Sequence, residues 1–278
     1  MISRWLAYAK LNLSLEVCGV HPDGMHEIRS IVQTIDLADR IDISLGTTTR
    51  VSCDAALNGS NIAEKAAEIV LREKRSRAGL RIRIEKRIPI GAGFGGGSSD
   101  AATVLVAVNR LLPPLIGEAE LSDMASGLGA DVPLFLKGGC VSLTGLGHPE
   151  EKLPMRTEYF VLVVPEIRCA TAEVYREWHP TDTAAQSLAL GHNDLLPAAM
   201  RLHPELRDVR EAAAGAGGLY SGMTGSGSAF YAAFGSRSEA IRARNRVARQ
   251  QPGCRVYCCA ATESGLARSE GKKHEDCN

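Results

Sequence analysis

An α+β fold in two domains is predicted, on three observations. Several segments alternate apolar with polar residues, the pattern of antiparallel strands that keep one face wet; residues 7–17 (AYAKLNLSLEV) and 80–85 (LRIRIE) are the clearest. Helical patterns stand among these strands in an order that packs helices on sheets as an α+β sandwich. The chain has 278 residues with 45% hydrophobic content, enough for two ordinary domains, and the polar connection through Pro149, Glu150, Glu151, Lys152 and Pro154 puts a boundary near 150. The expected division is 1–150 and 151–269, with a polar tail at 270–278 expected to be disordered.

Charge excludes some classes of partner. The 32 basic residues balance 32 acidic ones, so the chain lacks the footprint of a nucleic-acid or anionic-membrane binder. No run of about 18 apolar residues occurs, and no signal-like apolar segment precedes Lys10, so a cytoplasmic protein without a membrane partner is expected. Of eight cysteines, Cys18, Cys53, Cys140 and Cys169 are scattered singly and read as small core residues. Cys254, Cys258 and Cys259 lie in a strand pattern that points neighbouring side chains to opposite faces, which argues against a shared metal.

In chain order, residues 7–17 place Lys10 and Asn12 together on the polar face of a strand, a cation beside an amide. Either could serve a phosphate or a substrate hydroxyl; the pattern alone makes Lys10 a solvated strand lysine. The turn signal in HPDGMH precedes His26, and a long β-rich stretch follows to about residue 45. A strand and loop at 47–58 lead to an amphipathic helix at 61–75, with Gly79 beyond its end.

The stretch 89–102, PIGAGFGGGSSDAA, carries five glycines within seven positions. Glycine suits backbone that must take positive φ or approach a ligand closely. Ser98, Ser99 and Asp100 read as the cap and first turn of a helix over 101–112, which Pro113 and Pro114 stop. A glycine loop feeding a helix N-terminus aims unpaired N–H groups and the positive end of the helix dipole at one point, a site for phosphate. Gly91, Gly93 and Gly96 satisfy G-x-G-x-x-G, yet the dinucleotide fingerprint requires a buried parallel strand before it and an acidic residue about 20 positions on. Here the preceding strand has a wet face, and Glu118 and Glu120 follow a proline-broken loop. No lysine follows the glycines as a P-loop needs, and the partner motifs of protein kinases are missing. The loop holds a nucleotide in some other way.

Further on, a short helix at 121–128 is followed by Gly129-Ala130-Asp131-Val132-Pro133, where Asp131 sits as an N-cap with proline in the first turn; position alone explains the aspartate structurally. The second half opens with a strand, 159–164, and a helix, 171–178. Helices at 193–202 and 205–214 precede a second small-residue loop, SGMTGSGSA at 221–229, then a strand, a helix and a last strand.

Taken together, AKLNLSL, PIGAGFGGGSSDAA, GADVP and MTGSGSAF, in this order and at these separations, resemble the motifs of the GHMP kinase superfamily of small-molecule kinases over nearly the whole chain. Within it, HPDGMHEIRSIVQTIDLADRI, TAEVY and NDLLPAA resemble the members of the methylerythritol phosphate route to isoprenoids, whose acceptor alcohol carries a cytidine diphosphate. The resemblance implies a two-domain fold: an N-terminal domain like ribosomal protein S5 domain 2, a ferredoxin-like C-terminal sandwich, and the active site between them.

It also implies roles. Asp131 matches the catalytic aspartate and Lys10 the lysine paired with it. Pro89, Gly91, Ala92, Gly93, Phe94, Gly95, Gly96, Gly97, Ser98 and Ser99 match the loop around the ATP phosphates, with Asn61 and Lys86 beside the adenine. Asn12, Met25, His26, Tyr175, Thr224, Gly225, Ser226 and Gly227 match the acceptor side, where His26 reads cytosine, Tyr175 lies beneath it and the last four close around the diphosphate and the reacting alcohol. Met25 departs from the tyrosine usual in the family, which stacks on the upper face of the base. ATP is the implied donor, with Mg²⁺ held mainly by its phosphates and no dedicated protein metal site; a monomer or weak homodimer is expected. The competing readings are a GHMP kinase for a mevalonate derivative, homoserine or a sugar, and a ligand-binding protein of the same fold without catalysis.

Overall fold

The computed structural model describes residues 2–22, 24–55, 61–154, 158–180 and 188–269. In chain order the first part contains β1 (Ser3–Val20), β2 (His26–Gly46), β3 (Arg50–Cys53), α1 (Ile62–Glu73), β4 (Gly79–Glu85), α2 (Gly96–Leu111), α3 (Glu118–Leu128), α4 (Val132–Lys137), β5 (Cys140–Thr144) and β6 (His148–Leu153). The remainder contains β7 (Tyr159–Pro165), α5 (Thr171–Glu177), α6 (Leu196–Leu202), α7 (Leu206–Ala214), β8 (Tyr220–Met223), β9 (Phe230–Phe234), α8 (Arg237–Gln250), β10 (Cys254–Ala260) and β11 (Leu266–Arg268).

Two sheets result. The seven-stranded sheet runs β11-β1-β2-β4-β3, with β5 on β2 and β6 on β5; only β3 and β4 are parallel. The four-stranded sheet, β10-β7-β9-β8, is antiparallel throughout, as alternation in the sequence requires. The expected boundary at 150 falls within β6, and β11 returns to pair with β1, so the last residues close the first sheet and do not belong to the second. Both halves are thereby tied at one strand. The expected tail, 270–278, lies outside the described residues.

β1 runs through all three apolar clusters. Trp5 and Ala7 pack with α1, α2 and the inner residues of β2 and β4; Ala9, Leu11 and Leu13 pack with Phe94, Phe160, Leu162 and Tyr231; Leu15 and Val17 pack with Val174, Trp178 and Phe230. Its polar face, expected to be wet, is covered as well: Lys10, Asn12, Ser14 and Glu16 are all buried. The alternation was read correctly, but what covers the polar face is a set of loops remote in sequence, which no local pattern reveals. α2 also differs from expectation: it begins at Gly96, so Ser98, Ser99 and Asp100 lie inside its first turns and not at its cap. Asn193 and Asp194 likewise precede α6, where the sequence pattern begins the helix.

Candidate active site

The glycine loop starts from a clamp. The Asp39 carboxylate, on β2, accepts from the backbone N–H groups of Arg87 at 2.6 Å and Ile88 at 2.8 Å and takes the Lys86 ammonium on its other oxygen. From this base the chain passes buried Pro89 and bends through Gly91, Gly93 and Gly95, with φ of +73°, +86° and +71°. Gly93 also has no room: a Cβ there would stand 2.3 Å from the carbonyl oxygen of Thr224. Ala92 and Phe94 turn inward to the core, and the Phe94 carbonyl accepts from the Lys10 N–H at 3.1 Å. Gly96 and Gly97 open α2 in ordinary backbone conformation, so the loop's demand for glycine by φ ends at Gly95. The N–H groups of Gly96, Gly97 and Ser98 have no acceptor within the helix, while Ser99 N–H already reaches Gly95. Ser99 is fully buried and its hydroxyl donates to the Tyr8 carbonyl at 2.6 Å, which makes it a fastener between α2 and β1.

Asn61 and Lys86 flank this helix start. Asn61 caps α1, its side-chain oxygen accepting from Ala63 N–H at 3.0 Å, and the neighbouring Ile62 reaches within 3.9 Å of where a Cβ on Gly97 would lie. The Lys86 ammonium lies 3.3 Å from the same point on Gly96 and bridges Asp39 and Asp100, at 2.7 Å from Asp100. Burial, reinforced by the Asp39 charge and only partly offset by Lys86, pushes the Asp100 carboxyl up to about 8. At neutral pH Asp100 therefore holds its proton beneath the N-terminus of α2.

Lys10 is the meeting point of both glycine loops. Its Nζ donates to Asn12 Oδ1 at 2.5 Å; a Cβ on Gly95 would be 3.3 Å from its Cε, and one on Gly225 would be 3.4 Å from its Nζ. Asn12 is fixed in turn, donating to Ser30 Oγ at 2.8 Å, and Ser30 donates to the Ser14 carbonyl. Burial lowers the Lys10 pKa, and the charge of Asp131 opposes that shift. Asp131 occupies the N-cap position of α4, yet its side chain makes no capping hydrogen bond. The structural reason for an aspartate is thus absent. Its carboxylate acts through space on Lys10 and on Tyr175, whose phenol is pushed up to about 12, first by burial and then by Asp131.

The second loop completes the site. Thr224 Oγ1 accepts from Asn12 N–H at 3.1 Å and donates to the Gly93 carbonyl at 3.3 Å. Gly225 and Gly227 have φ of +56° and +87°, and Ser226 Oγ lies 3.0 Å from Thr171 Oγ1 at the start of α5. α5 carries this contact to an aromatic cluster: the His26 ring is 4.8 Å from Tyr175 and meets Trp178 edge-on at 5.5 Å. Partial burial lowers the His26 pKa, so the ring is neutral at pH 7 and offers one donor and one acceptor. Met25, at the tip beside it, is 51% exposed. β1 and the two glycine loops thus bring Lys10, Asn12, Gly93, Gly95, Thr224 and Gly225 together, and α5 links this group to Tyr175 and His26. Sequence reasoning missed Ser30, Asp39, Asp100 and Trp178; only Asp100, within the glycine motif, carried a signal that could have found it.

Comparisons with known proteins bear on family and fold. Residues 61–139 match the model of the GHMP kinases N terminal domain, and residues 179–253 match that of the GHMP kinases C terminal. The chain is 32% identical to 4-diphosphocytidyl-2-C-methyl-D-erythritol kinase of Gloeobacter violaceus, over 98% of each chain. It is 40% identical to the enzyme of that name from Desulfitobacterium hafniense, over 81% of this chain and 84% of the other. A crystal structure of 4-(cytidine 5'-diphospho)-2C-methyl-D-erythritol kinase superposes with a TM-score of 0.81 at 34% identity, covering 93% of this chain and 98% of that one. Homoserine kinase from Cytophaga hutchinsonii, at 19% identity and a TM-score of 0.77 over 96% of this chain and 97% of its own, shares the fold.

Two outcomes are expected from this geometry. Gly93→Ala lowers the melting temperature by about 3 °C or more, because positive φ and a backbone clash coincide there, whereas Gly97→Ala, in helical conformation with open space, leaves it within about 1 °C; thermal unfolding followed by circular dichroism compares them. Asp100→Asn changes the pH dependence of stability. Between about pH 4 and about pH 8 the folded wild type binds a proton at Asp100 that the unfolded chain has released, so stability falls as pH rises through this window. The asparagine stays neutral in both states and flattens that fall, which urea titrations at pH 5 and pH 8 would measure.

Proposed function

The chain belongs to the GHMP kinases, in the 4-diphosphocytidyl-2-C-methyl-D-erythritol kinase family, and from that footing we propose that it transfers the γ-phosphoryl group of ATP to the 2-hydroxyl of 4-diphosphocytidyl-2-C-methyl-D-erythritol, in the methylerythritol phosphate route to isoprenoids. The observation that carries the reading is the convergence of Gly95, Gly225 and Asn12 on the Lys10 side chain, with an uncapped Asp131 acting on the same ammonium. Phosphoryl transfer needs little covalent chemistry from a protein; it needs in-line positioning and neutralised charge.

Each residue then has a task. The free N–H groups at the start of α2 and the loop 91–97 hold the phosphates, where the helix dipole favours negative charge. Lys86 and Asn61 stand on the adenine side. Asp131 accepts the proton of the attacking hydroxyl. Lys10, desolvated and aimed by Asn12, neutralises charge on the transferring group; in a cleft closed to water this electrostatic contribution is larger than in solution. Thr224 to Gly227 close over the diphosphate and the alcohol. Mg²⁺ entering with the nucleotide and held mainly by its phosphates would supply neutralisation of their charge. His26 reads the edge of the cytosine, and Tyr175 supports its face.

The direct test is ADP release with a panel of alcohols: the cytidine diphosphate methylerythritol, mevalonate, homoserine and galactose. Turnover confined to the first supports the reading, and turnover only with another overturns it. Asp131→Asn should keep ATP binding and lower kcat by roughly 10² to 10⁴. Lys10→Ala should behave alike, and the double variant should lose far less than the product of the two, since groups acting as a unit are not additive; steady-state kinetics of the three variants decides. Met25→Tyr should tighten the acceptor. Exchanging a thioether contact for a stacked ring differs by about 1 kcal/mol, or roughly a fivefold lower KM for the cytidine substrate with kcat nearly unchanged.

A further inference from the structure

The segment 191–195, just before α6, docks against the outer edge of β1. Gly191 N–H donates to the Leu13 carbonyl at 2.7 Å, Leu15 N–H to the His192 carbonyl at 2.9 Å, and Asp194 N–H to the Leu15 carbonyl at 3.0 Å, so the segment docks as a short parallel edge on β1. Asp194 is fully buried; its carboxylate accepts from Val17 N–H at 2.8 Å and lies 2.7 Å from His192 Nε2. Asn193, between them, is buried and points the other way. Its Nδ2 donates to the carbonyls of both Met223 and Gly225 at 2.8 Å, and its Oδ1 accepts from Leu195 N–H at 2.9 Å. That network fixes the amide orientation, because two carbonyls can only face the nitrogen.

Those two carbonyls flank Thr224. Thr224 binds Asn12 N–H and the Gly93 carbonyl, and Gly225 is the residue whose Cβ would meet Lys10 Nζ at 3.4 Å and Asn12 Oδ1 at 3.5 Å. One buried amide therefore holds the second glycine loop from behind while its front faces Lys10. Within the loop Thr224 N–H donates to the Ala229 carbonyl at 3.1 Å and Gly227 N–H to the Thr224 carbonyl at 3.0 Å; these fix its own turn, and its place relative to Lys10 rests on contacts from outside it.

We propose that Asn193 is a positioning residue for phosphoryl transfer: by binding the carbonyls on either side of Thr224 it sets the Thr224–Gly227 loop against Lys10 and the first glycine loop. The inference rests on the kinase reading and adds to it a residue that touches neither substrate nor reacting atoms. A small displacement of such a loop is felt chiefly in the transition state, since alignment matters most there. The cytosine ring, read by His26 and Tyr175, meets the loop at one remove, through α5 and the Thr171–Ser226 contact.

The test is Asn193→Asp, which keeps size and the acceptor for Leu195 N–H but removes both donors, alongside Asn193→Ser, which puts one shorter hydroxyl in place of the amide and adds no charge. In the full-length chain, kcat should fall about 10- to 100-fold for the aspartate and less for the serine, while the Kd of cytidine, which lacks the diphosphate the loop closes over, changes less than twofold by calorimetry. Unchanged kcat in either folded variant would overturn the proposal, and so would a fall in kcat matched by an equal loss of cytidine affinity, which is the mark of general disruption. Should the wild type turn over homoserine or mevalonate in place of the cytidine alcohol, the acceptor assignment fails while the kcat ratio on that alcohol still decides the role of Asn193.

Discussion

The outer edge of β1 is the constraint on which the site depends. Along its other edge β1 pairs with β2 for nearly its whole length, but its outer edge meets β11 only from Trp5 to Ala7. Beyond that, the N–H groups of Tyr8, Lys10, Asn12 and Leu15 point into the protein and must find acceptors there. They find them in four separate places: the Gly265 carbonyl, the Phe94 carbonyl, the Thr224 hydroxyl and the His192 carbonyl. Satisfying one buried strand edge thus brings both glycine loops and the 191–195 segment to the same line, and the side chain of Lys10 emerges where they meet.

Burying charge is costly unless partners are supplied, and the two buried lysines resolve the cost differently. Lys86 lies between Asp39 and Asp100, and together these outweigh the effect of burial and raise its pKa. That suits a fastener: it ties β2, the start of the glycine loop and α2 together through Asp39 and Asp100. Lys10 has a neutral amide as its near partner and a carboxylate acting only through space, and its pKa is lowered. An ammonium left electrostatically undersatisfied in a cleft is one that an incoming phosphate can complete. The contrast separates a cation that holds the scaffold from one available to a substrate.

The rings proposed to take the acceptor's base come from two chain segments far apart. His26 begins β2, whereas Tyr175 and Trp178 belong to α5 and its end, and α5 also touches the phosphate loop through Thr171 and Ser226. A base seated against these rings is coupled through one short helix to the loop above the reacting alcohol. With Met25 in place of an aromatic residue, the grip on the base falls mainly on that lower face.

Much of this was legible in the sequence. The alternation in residues 7–17 and 80–85 established antiparallel strands and four motifs in order established the family, while the glycine cluster before an apolar helix raised the expectation of an anion site, because each is a local pattern with a local physical cause. The helix start at Gly96, the burial of the polar face of β1, the Lys86–Asp39–Asp100 cluster and the return of β11 to the first sheet were not legible. Each depends on residues tens to hundreds of positions away: Asn12 and Thr224 are 212 residues apart, and Lys86 and Asp39 are 47. The sequence by itself determined which residues are chemically able to act; only the tertiary structure decided that Lys10 is buried, that Asp131 is not engaged as a cap, and that one amide, Asn193, stands behind the loop facing them. Periodicity reports the face a side chain takes along its own strand or helix, and what covers that face is set by the packing of the whole chain.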